Sequence, residues 1–304
     1  QPGTKKSLIV KTKHSKHNTQ TTKPKMERTP KSEVLTLTRF ILKYHQLAEQ
    51  ERQDLSILFS AIQLACKIVS NALKRAGLED IIGYTGTQNV HGEDVKKLDL
   101  LSNDAWKAAL TTCDQVCVMA SEEDDDAIIV PERYAGKYVV CFDPLDGSSN
   151  IDANVSVGSI FGIYKKKSEG KTGKTEDCLQ AGRELAASGY ALYGSSVLMV
   201  LTLGYEVHGF TYDPSLGEFV LSHANIRIPE KGAIYSVNEG NSAYWPKPTS
   251  EYVKYCKANE GSKKPYSSRY IGSMVADVHR TLLYGGIFMY PGDTRAPEGK
   301  LRYL

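Results

Sequence analysis

The sequence predicts a layered α/β fold, and three observations carry that expectation. Apolar residues recur at helical spacing across residues 34–110, strand-like apolar runs follow from 115 to 237, and a helix–strand pair closes the chain near 273–290. With 304 residues and 41% apolar content, the chain can bury a sizeable core in one large domain or two lobes. In order, Val34, Leu37, Ile41 and Leu42 predict a helix over 34–48. Leu55, Leu58, Phe59, Ile62, Ala65, Cys66, Val69, Ala72, Leu73 and Ala76 predict a stronger one over 54–76, capped by Asp54 and ended by Gly77. Three glycines mark 83–92 as a loop, and 94–110 is helical again, with Val95, Leu98, Leu101, Ala105 and Ala109 on one side. Strands are expected at 115–120, 138–142, 157–164, 197–203, 207–212, 218–222 and 233–237. The polar stretch 165–183 is expected to be a flexible surface loop, and 273–284 a helix before a strand at 287–290.

The net charge of +3 conceals two parts. Residues 1–32 hold nine Lys/Arg and the single acid Glu27, leaving 29 Lys/Arg against 34 Asp/Glu in the rest of the chain. The body is therefore mildly acidic, which argues against a nucleic-acid partner. The segment 1–32 is rich in Lys, Thr and Ser with little to bury, and is expected to be a disordered extension. Met26, the first methionine, is a candidate native start. The longest aliphatic run, Val197–Leu203, is too short to cross a bilayer, so no membrane partner is expected. Six cysteines without a Cys-x-x-Cys pair suggest a reducing compartment, most simply the cytoplasm.

The densest chemistry lies at 138–163, where an apolar strand runs into Asp143 and Asp146 across Pro144, with Gly147-Ser148-Ser149 directly after. Carboxylates hold hard cations, and a small-residue turn aims backbone N–H groups at an anion. A second strand ends in Ser121-Glu122-Glu123-Asp124, and two strands ending in acids can converge at one sheet edge. Asp99 adds a further acid. So many carboxylates together call for divalent cations, and Mg²⁺ suits an oxygen-only set, with metal-activated water as the nucleophile. Asp124-Asp125-Asp126 is expected to be a solvated acidic surface. Residues 168–175 nearly match a phosphate-binding P-loop, but Ser168 replaces its first glycine and no periodic helix follows. Downstream, Asn238, Arg269, Tyr270, Tyr290 and Lys300 could hold a second phosphate by charge and hydrogen bonds.

Six segments together resemble one family. They are LTLTRF at 35–40, KKLDLLSND at 96–104, SEED at 121–124, FDPLDGSSN at 142–150, GSMVADVHRTL at 272–282 and GGIF at 285–288. The chain resembles the fructose-1,6-bisphosphatase family over residues 34–304. The Asp-Pro-x-Asp-Gly core alone marks only the wider group of Mg²⁺-dependent, lithium-sensitive phosphatases, which includes sedoheptulose bisphosphatases and inositol phosphatases. The resemblance implies an α/β/α/β/α sandwich in two lobes, 33–225 and 226–304, assembled as a homotetramer. It implies hydrolysis of the 1-phosphate of fructose 1,6-bisphosphate in gluconeogenesis, sedoheptulose 1,7-bisphosphate being the alternative substrate. Glu122, Asp143, Asp146 and the Leu145 carbonyl would bind metal (Mg²⁺, with Mn²⁺ or Zn²⁺ as substitutes), with Glu93 nearby in a mobile loop. Asp99 and Glu123 would activate water. Gly147, Ser148 and Ser149 would hold the 1-phosphate. Asn238, Tyr270, Met274, Tyr290 and Lys300 would hold the sugar and 6-phosphate, and Arg269 would reach across from a neighbouring subunit.

Departures from the family pattern matter too. The family continues past Leu304 with Tyr-Glu, that Glu being a further metal ligand, so the chain is expected to be a fragment of low activity until completed. AMP-inhibited members carry Thr-Gly-Glu where this chain has Gln50-Glu51-Arg52-Gln53-Asp54, and Lys165 stands in place of an arginine. Lys137 and Tyr138 still match the nucleotide site, so weak or altered AMP inhibition is expected. Asn241 replaces a tyrosine near the 6-phosphate. The loop near residue 170 holds only Cys178, against the disulfide switch of light-regulated plastid members.

Overall fold

Amphipathic helices pack one face of a large mixed sheet in the computed structural model, which describes residues 34–78, 84–88, 94–259 and 264–299, with 84–88 and 94–96 as backbone. Helix α1 covers only Leu37–Leu42, where the periodicity predicts 34–48. Beyond it the chain makes single turns, because Tyr44 folds back onto Phe40 and His208, with ring centroids 5.4 and 6.3 Å away. Helix α2 runs Glu49–Arg75 and starts five residues before the expected cap. Asp54 caps nothing. It is buried within the helix, accepts from Gln50 Nε2 at 3.0 Å and pairs with Lys137. Glu49 and Glu51 in the first turn suit the positive end of the helix dipole instead.

The expected loop at 83–92 is in part a strand. β1 (Tyr84–Gln88) pairs antiparallel with β2 (Asp94–Lys96), consistent with its Tyr and Thr content. α3 (Lys97–Thr111) follows directly. The main sheet then forms from β3 (Val116–Ser121), β4 (Ile128–Ile129), β5 (Tyr138–Asp146), β6 (Val157–Lys165), β7 (Ala187–Tyr193), β8 (Val197–Thr202), β9 (Val207–Asp213) and β10 (Glu218–Ile226). Its order is β10-β9-β8-β7-β6-β5-β3-β4, with β3 and β5 its parallel neighbours. Strand β7 escapes the sequence pattern because Ala187, Ser188, Gly189 and Ala191 are too small to mark an apolar face. A second sheet sets β11 (Ile234–Ser236) between β12 (Ser267–Ser268) and β13 (Ile287–Phe288), all parallel. α4 (Lys247–Lys257) was invisible to periodicity, since it buries only Val253 and Cys256. α5 (Met274–Tyr284) appears where expected.

The main core lies between α2, α3 and the sheet. Trp106 stacks on Phe142 at 5.1 Å, and Phe59 meets Phe161 edge-on at 5.8 Å. Each such buried ring contributes about 1.5–3 kcal/mol. α5 crosses β6 at Gly158, where an added Cβ would stand 2.6 Å from Ala191 O and 2.8 Å from Val275. Only a glycine allows the helix that close. His279 ties α5 to β7 through Tyr190 Oη at 2.8 Å, and burial pulls its imidazole pKa down to about 4.

The segment expected to be a flexible loop is organised by one carboxylate. Asp177, 2% exposed, accepts from Lys167 N (2.9 Å), Ser168 N (2.8 Å), Ser168 Oγ (2.6 Å) and Lys174 N (2.9 Å). Burial opposes its ionisation, but the Ser168 hydroxyl and these amides hold it far below the usual carboxylate range. Only a single 3-10 turn at Thr175–Cys178 follows Lys174, so the P-loop resemblance has no helix behind it. Asp177→Ala should leave three amides and a hydroxyl without their acceptor, at about 1 kcal/mol each. The expected outcome is much faster trypsin cleavage at Lys171 and Lys174 with the rest of the fold intact. An unchanged digestion rate would show that the loop is held otherwise.

Candidate active site

A β-bulge creates the acidic centre. β5 pairs with β6 at Asp143↔Ile160 and at Asp146↔Gly158, so Pro144 and Leu145 together oppose Ser159 alone. Proline has no N–H for the ladder, which makes this the natural place for an extra residue. In a regular strand, residues three apart point to opposite faces, and the inserted residue brings Asp146 back to the side of Asp143. The bulge is internally satisfied. Ser159 Oγ donates to Pro144 O at 2.7 Å and lies 2.8 Å from Tyr193 Oη, while Leu145 N donates to Asp143 Oδ1 at 2.9 Å.

The parallel neighbour β3 delivers the next acid. Ser121 pairs with Phe142, and Glu122 N donates to Phe142 O at 3.1 Å, which sets Glu122 beside Asp143. Asp143, Asp146 and Glu122 are all buried. Burial first, then hydrogen-bonded and like-charged Glu122, then Asp146, push the Asp143 carboxyl well above its usual range. α3 is locked to this edge by a chain of contacts. Asn103 Nδ2 donates to Asp124 Oδ2 (2.8 Å), Ser121 Oγ donates to Asn103 Oδ1 (2.8 Å), and Ser121 Oγ accepts from Glu123 N (3.2 Å). Asp99 is buried one helical turn before Asn103, on the same face. Asp124 is therefore structural, bound also by Lys107 at 3.2 Å, which corrects its reading as solvated surface, whereas Asp125 and Asp126 are exposed.

Beside the acids the chain turns through Gly147, at φ 81°, into a 3-10 turn at Ser148–Ala153. The start of α5 lies beside these residues, where Val275 N donates to Asp146 Oδ2 at 3.4 Å. Asn150 Nδ2 donates to Gly272 O at 3.0 Å. Ser273 Oγ is buried with no hydrogen-bond partner among the described residues, 3.5 Å from where a Gly147 Cβ would stand. Asn150 and Ser273 sit inside the recognised motifs, but sequence spacing gave neither of them a role.

A cavity of about 390 Å³ lies further along, lined by Asn238, Asn241, Trp245, Tyr290, Asp293 and Arg295, among others. Tyr270 stands close to it: burial, then Asp277, then Tyr290 push its hydroxyl pKa up. Met274 is half-buried at the start of α5. Arg295 was not foreseen. Its guanidinium stacks over Tyr244 at 3.9 Å and pairs with Asp293 at 2.7 Å. Arg269 is exposed, donates to Ser268 O at 2.8 Å and does not line the cavity. Glu93 and Lys300 lie outside the described residues. Tyr138 begins β5 at its far end and Lys137 directly precedes it, roughly 25–30 Å from Asp146 at ~3.3 Å per residue.

Among the described residues, no three His, Cys, Asp or Glu side chains stand already converged as a metal cage. The donor chemistry nevertheless fits a hard cation, because Asp143 is buried against Glu122 and near Asp146, and such a group of anions needs protons or a cation to balance it.

Comparison with known proteins decides the family. The profile described as "Fructose-1-6-bisphosphatase, N-terminal domain" matches residues 35–224, and that for the C-terminal domain matches 228–304. The chain belongs to the fructose-1,6-bisphosphatase family. It is 53% identical over 274 residues to the cytosolic fructose-1,6-bisphosphatase of Oryza coarctata, covering 90% of this chain and 79% of that one. The cytosolic enzyme of Solanum tuberosum is 54% identical, with 90% and 80% covered. The holo crystal structure of the Leishmania major fructose-1,6-bisphosphatase superposes with a TM-score of 0.83 at 47% identity, covering 89% of this chain and 82% of that one. The family implies a divalent metal cofactor, in keeping with the acidic cluster.

The raised Asp143 carboxyl has a signed consequence. A carboxyl whose folded pKa exceeds its unfolded value costs stability as pH rises from the unfolded value through the folded one. Metal-free protein at pH 7.5 should thus be stabilised by Asp143→Asn, while the gain in Tm from added Mg²⁺ should vanish. Thermal unfolding with and without Mg²⁺ tests both. A lowered Tm with an undiminished Mg²⁺ effect would contradict the charge argument.

Proposed function

We propose that the protein hydrolyses the 1-phosphate of D-fructose 1,6-bisphosphate to fructose 6-phosphate and inorganic phosphate, as a cytoplasmic enzyme of gluconeogenesis. The observation that carries this reading is the bulge that sets Asp143 and Asp146 beside Glu122, one residue before a phosphate-sized turn. The names of the relatives support the substrate and the compartment. Glu122, Asp143, Asp146 and the Leu145 carbonyl would hold the divalent cation, Mg²⁺ being the best match to an oxygen-only set, with Mn²⁺ or Zn²⁺ as substitutes. Bound there, a metal ion supplies charge neutralisation at the phosphoryl oxygens and a more acidic water.

The chain's own residues do the rest. Asp99 and Glu123 orient the attacking water and accept its proton on a carboxylate oxygen. The amides of Gly147, Ser148 and Ser149 hold the 1-phosphate. Asn238, Tyr270, Met274 and Tyr290 hold the sugar and 6-phosphate in and beside the cavity, and the Lys300 ammonium would add a positive charge for the 6-phosphate. Its volume suits a hexose phosphate end. The lobes divide as 33–225 for metal and 226–304 for sugar. Arg269 extends from its exposed position into a neighbouring subunit of a homotetramer. The apolar stripe Ile57, Leu64 and Ile68, exposed on α2, supports such an assembly.

Phosphate release from fructose 1,6-bisphosphate should require a divalent cation and stop on chelation. Asp143→Asn should lower kcat/KM by at least ~100-fold, the scale expected for a group acting in the transition state. Retention of activity in that variant would overturn the reading.

AMP inhibition should be weak. Lys137 and Lys165 already pair with Asp54 and Glu51 of α2, the latter at 2.7 Å, so a nucleotide phosphate must displace both acids. The inhibition constant should lie above about 1 μM, equivalent to binding weaker than about −8 kcal/mol. Glu51→Gln should strengthen inhibition several-fold by freeing Lys165. Submicromolar inhibition of the unaltered protein would refute this.

A further inference from the structure

We propose that Asp277 is a positioning residue that locks the sugar-side loop 269–274 against β11, so that one buried carboxylate sets the spacing of both walls of the sugar-phosphate site. The inference rests on the functional reading above and deepens it. Asp277 is 1% exposed in the first turn of α5. An acid there often serves only its own helix end. This one reaches back past the helix. Its Oδ1 accepts from Ile271 N at 3.0 Å, and its Oδ2 accepts from Gly272 N at 3.0 Å. Oδ1 also accepts from Ser236 Oγ at 2.8 Å, on a different sheet strand 41 residues away in sequence. Three donors from two separate segments therefore converge on a side chain that meets neither phosphate.

Each segment leads directly to the site. On one side, Gly272 is held by its N–H to Asp277 and by its C=O to Asn150 of the phosphate turn. Tyr270, Ser273 and Met274 flank it. On the other side, Ser236 lies two residues before Asn238, and Ser236 O accepts from Met289 N at 2.9 Å, one residue before Tyr290. Asp277 thus fixes the loop bearing Tyr270 relative to the strand bearing Asn238 and Tyr290. The acidic centre depends on β3, β5 and β6 instead, and none of their hydrogen bonds involves Asp277.

The proposal separates two classes of ligand. Loosening the lock should weaken whatever spans the sugar side and leave binding at the phosphate turn alone unaffected. Asp277→Asn replaces one acceptor oxygen by an N–H₂ group facing N–H donors, so at least one of the three bonds is lost. In the full-length protein with Mg²⁺, KM for fructose 1,6-bisphosphate should rise roughly tenfold, and Ki for fructose 6-phosphate should rise in parallel. Hydrolysis of p-nitrophenyl phosphate and inhibition by inorganic phosphate, which probe only the metal and phosphate turn, should stay within about twofold of the parent protein. Ser236→Ala, a milder change that keeps the charge, should move the same two constants in the same direction by a few-fold and serves if Asp277→Asn fails to fold. Equal losses on both kinds of probe, or an unchanged Ki for fructose 6-phosphate in a folded variant, would overturn the role. If the parent protein hydrolyses p-nitrophenyl phosphate but not fructose 1,6-bisphosphate, the functional reading fails. A Ki shift for fructose 6-phosphate would still report on Asp277.

Discussion

Everything at the acidic edge depends on placing like charges together where water is scarce. A regular β5 would send Asp143 and Asp146 to opposite faces of the sheet, and the extra residue at Pro144-Leu145 prevents that. The arrangement is costly in isolation, because Asp143 is 1% exposed with Glu122 adjacent. Two backbone groups of the bulge are paired locally: Ser159 serves Pro144 O, and Asp143 itself serves Leu145 N. The electrostatic cost falls on the carboxylate side chains, which a hard cation would neutralise.

The second half of the site is attached to this scaffold through α5. Close approach at Gly158 sets the helix onto β6, and its first turn touches Asp146 through Val275 N. The same turn carries Asp277, which accepts from Ile271 N and from Ser236 Oγ on β11. On the proposed reading a substrate with phosphates at both ends would meet both units at once, so small errors in their spacing would be felt as loss of binding or rate. The short cross-links from Asn150 to Gly272 and from Ser236 to Asp277 restrict that spacing with few residues.

Much of this was legible in the residues. The strand ending in Asp143, the acids after β3, the α2 stripe and α5 all follow from periodicity and from where the acids fall. The segment at 165–183 was misread because a polar, glycine-containing stretch looks mobile until one sees Asp177 gather four donors. β7 was missed because small residues carry no alternation, and α4 because a helix with two buried residues has little apolar stripe to detect. The bulge was the hardest to foresee. Its signature is a proline between two acids, but its effect, the same-face placement of residues three apart, exists only once β6 supplies the register. Asp54 shows the converse limit: a residue ideal for a helix cap went instead to Lys137, directly before β5 and 83 positions away in sequence.

That last pairing constrains how the two ends of β5 can communicate. Lys137 directly precedes the strand and Asp146 ends it, and every residue of the strand is buried. A packed strand transmits displacement as a body, because its neighbours on both sides fix its register. Lys137 and Lys165 are bound to α2, whose other contacts are α1, α3 and the core beneath the sheet. An anion competing for those lysines would first have to break their pairs with Asp54 and Glu51 of α2. α3 packs on both α2 and β5 and carries Asp99, so α2 and the acidic edge share one packed helix. Sensitivity of this enzyme to ligands at the far end of β5 should accordingly be governed less by the lysines than by the acids of α2 that hold them.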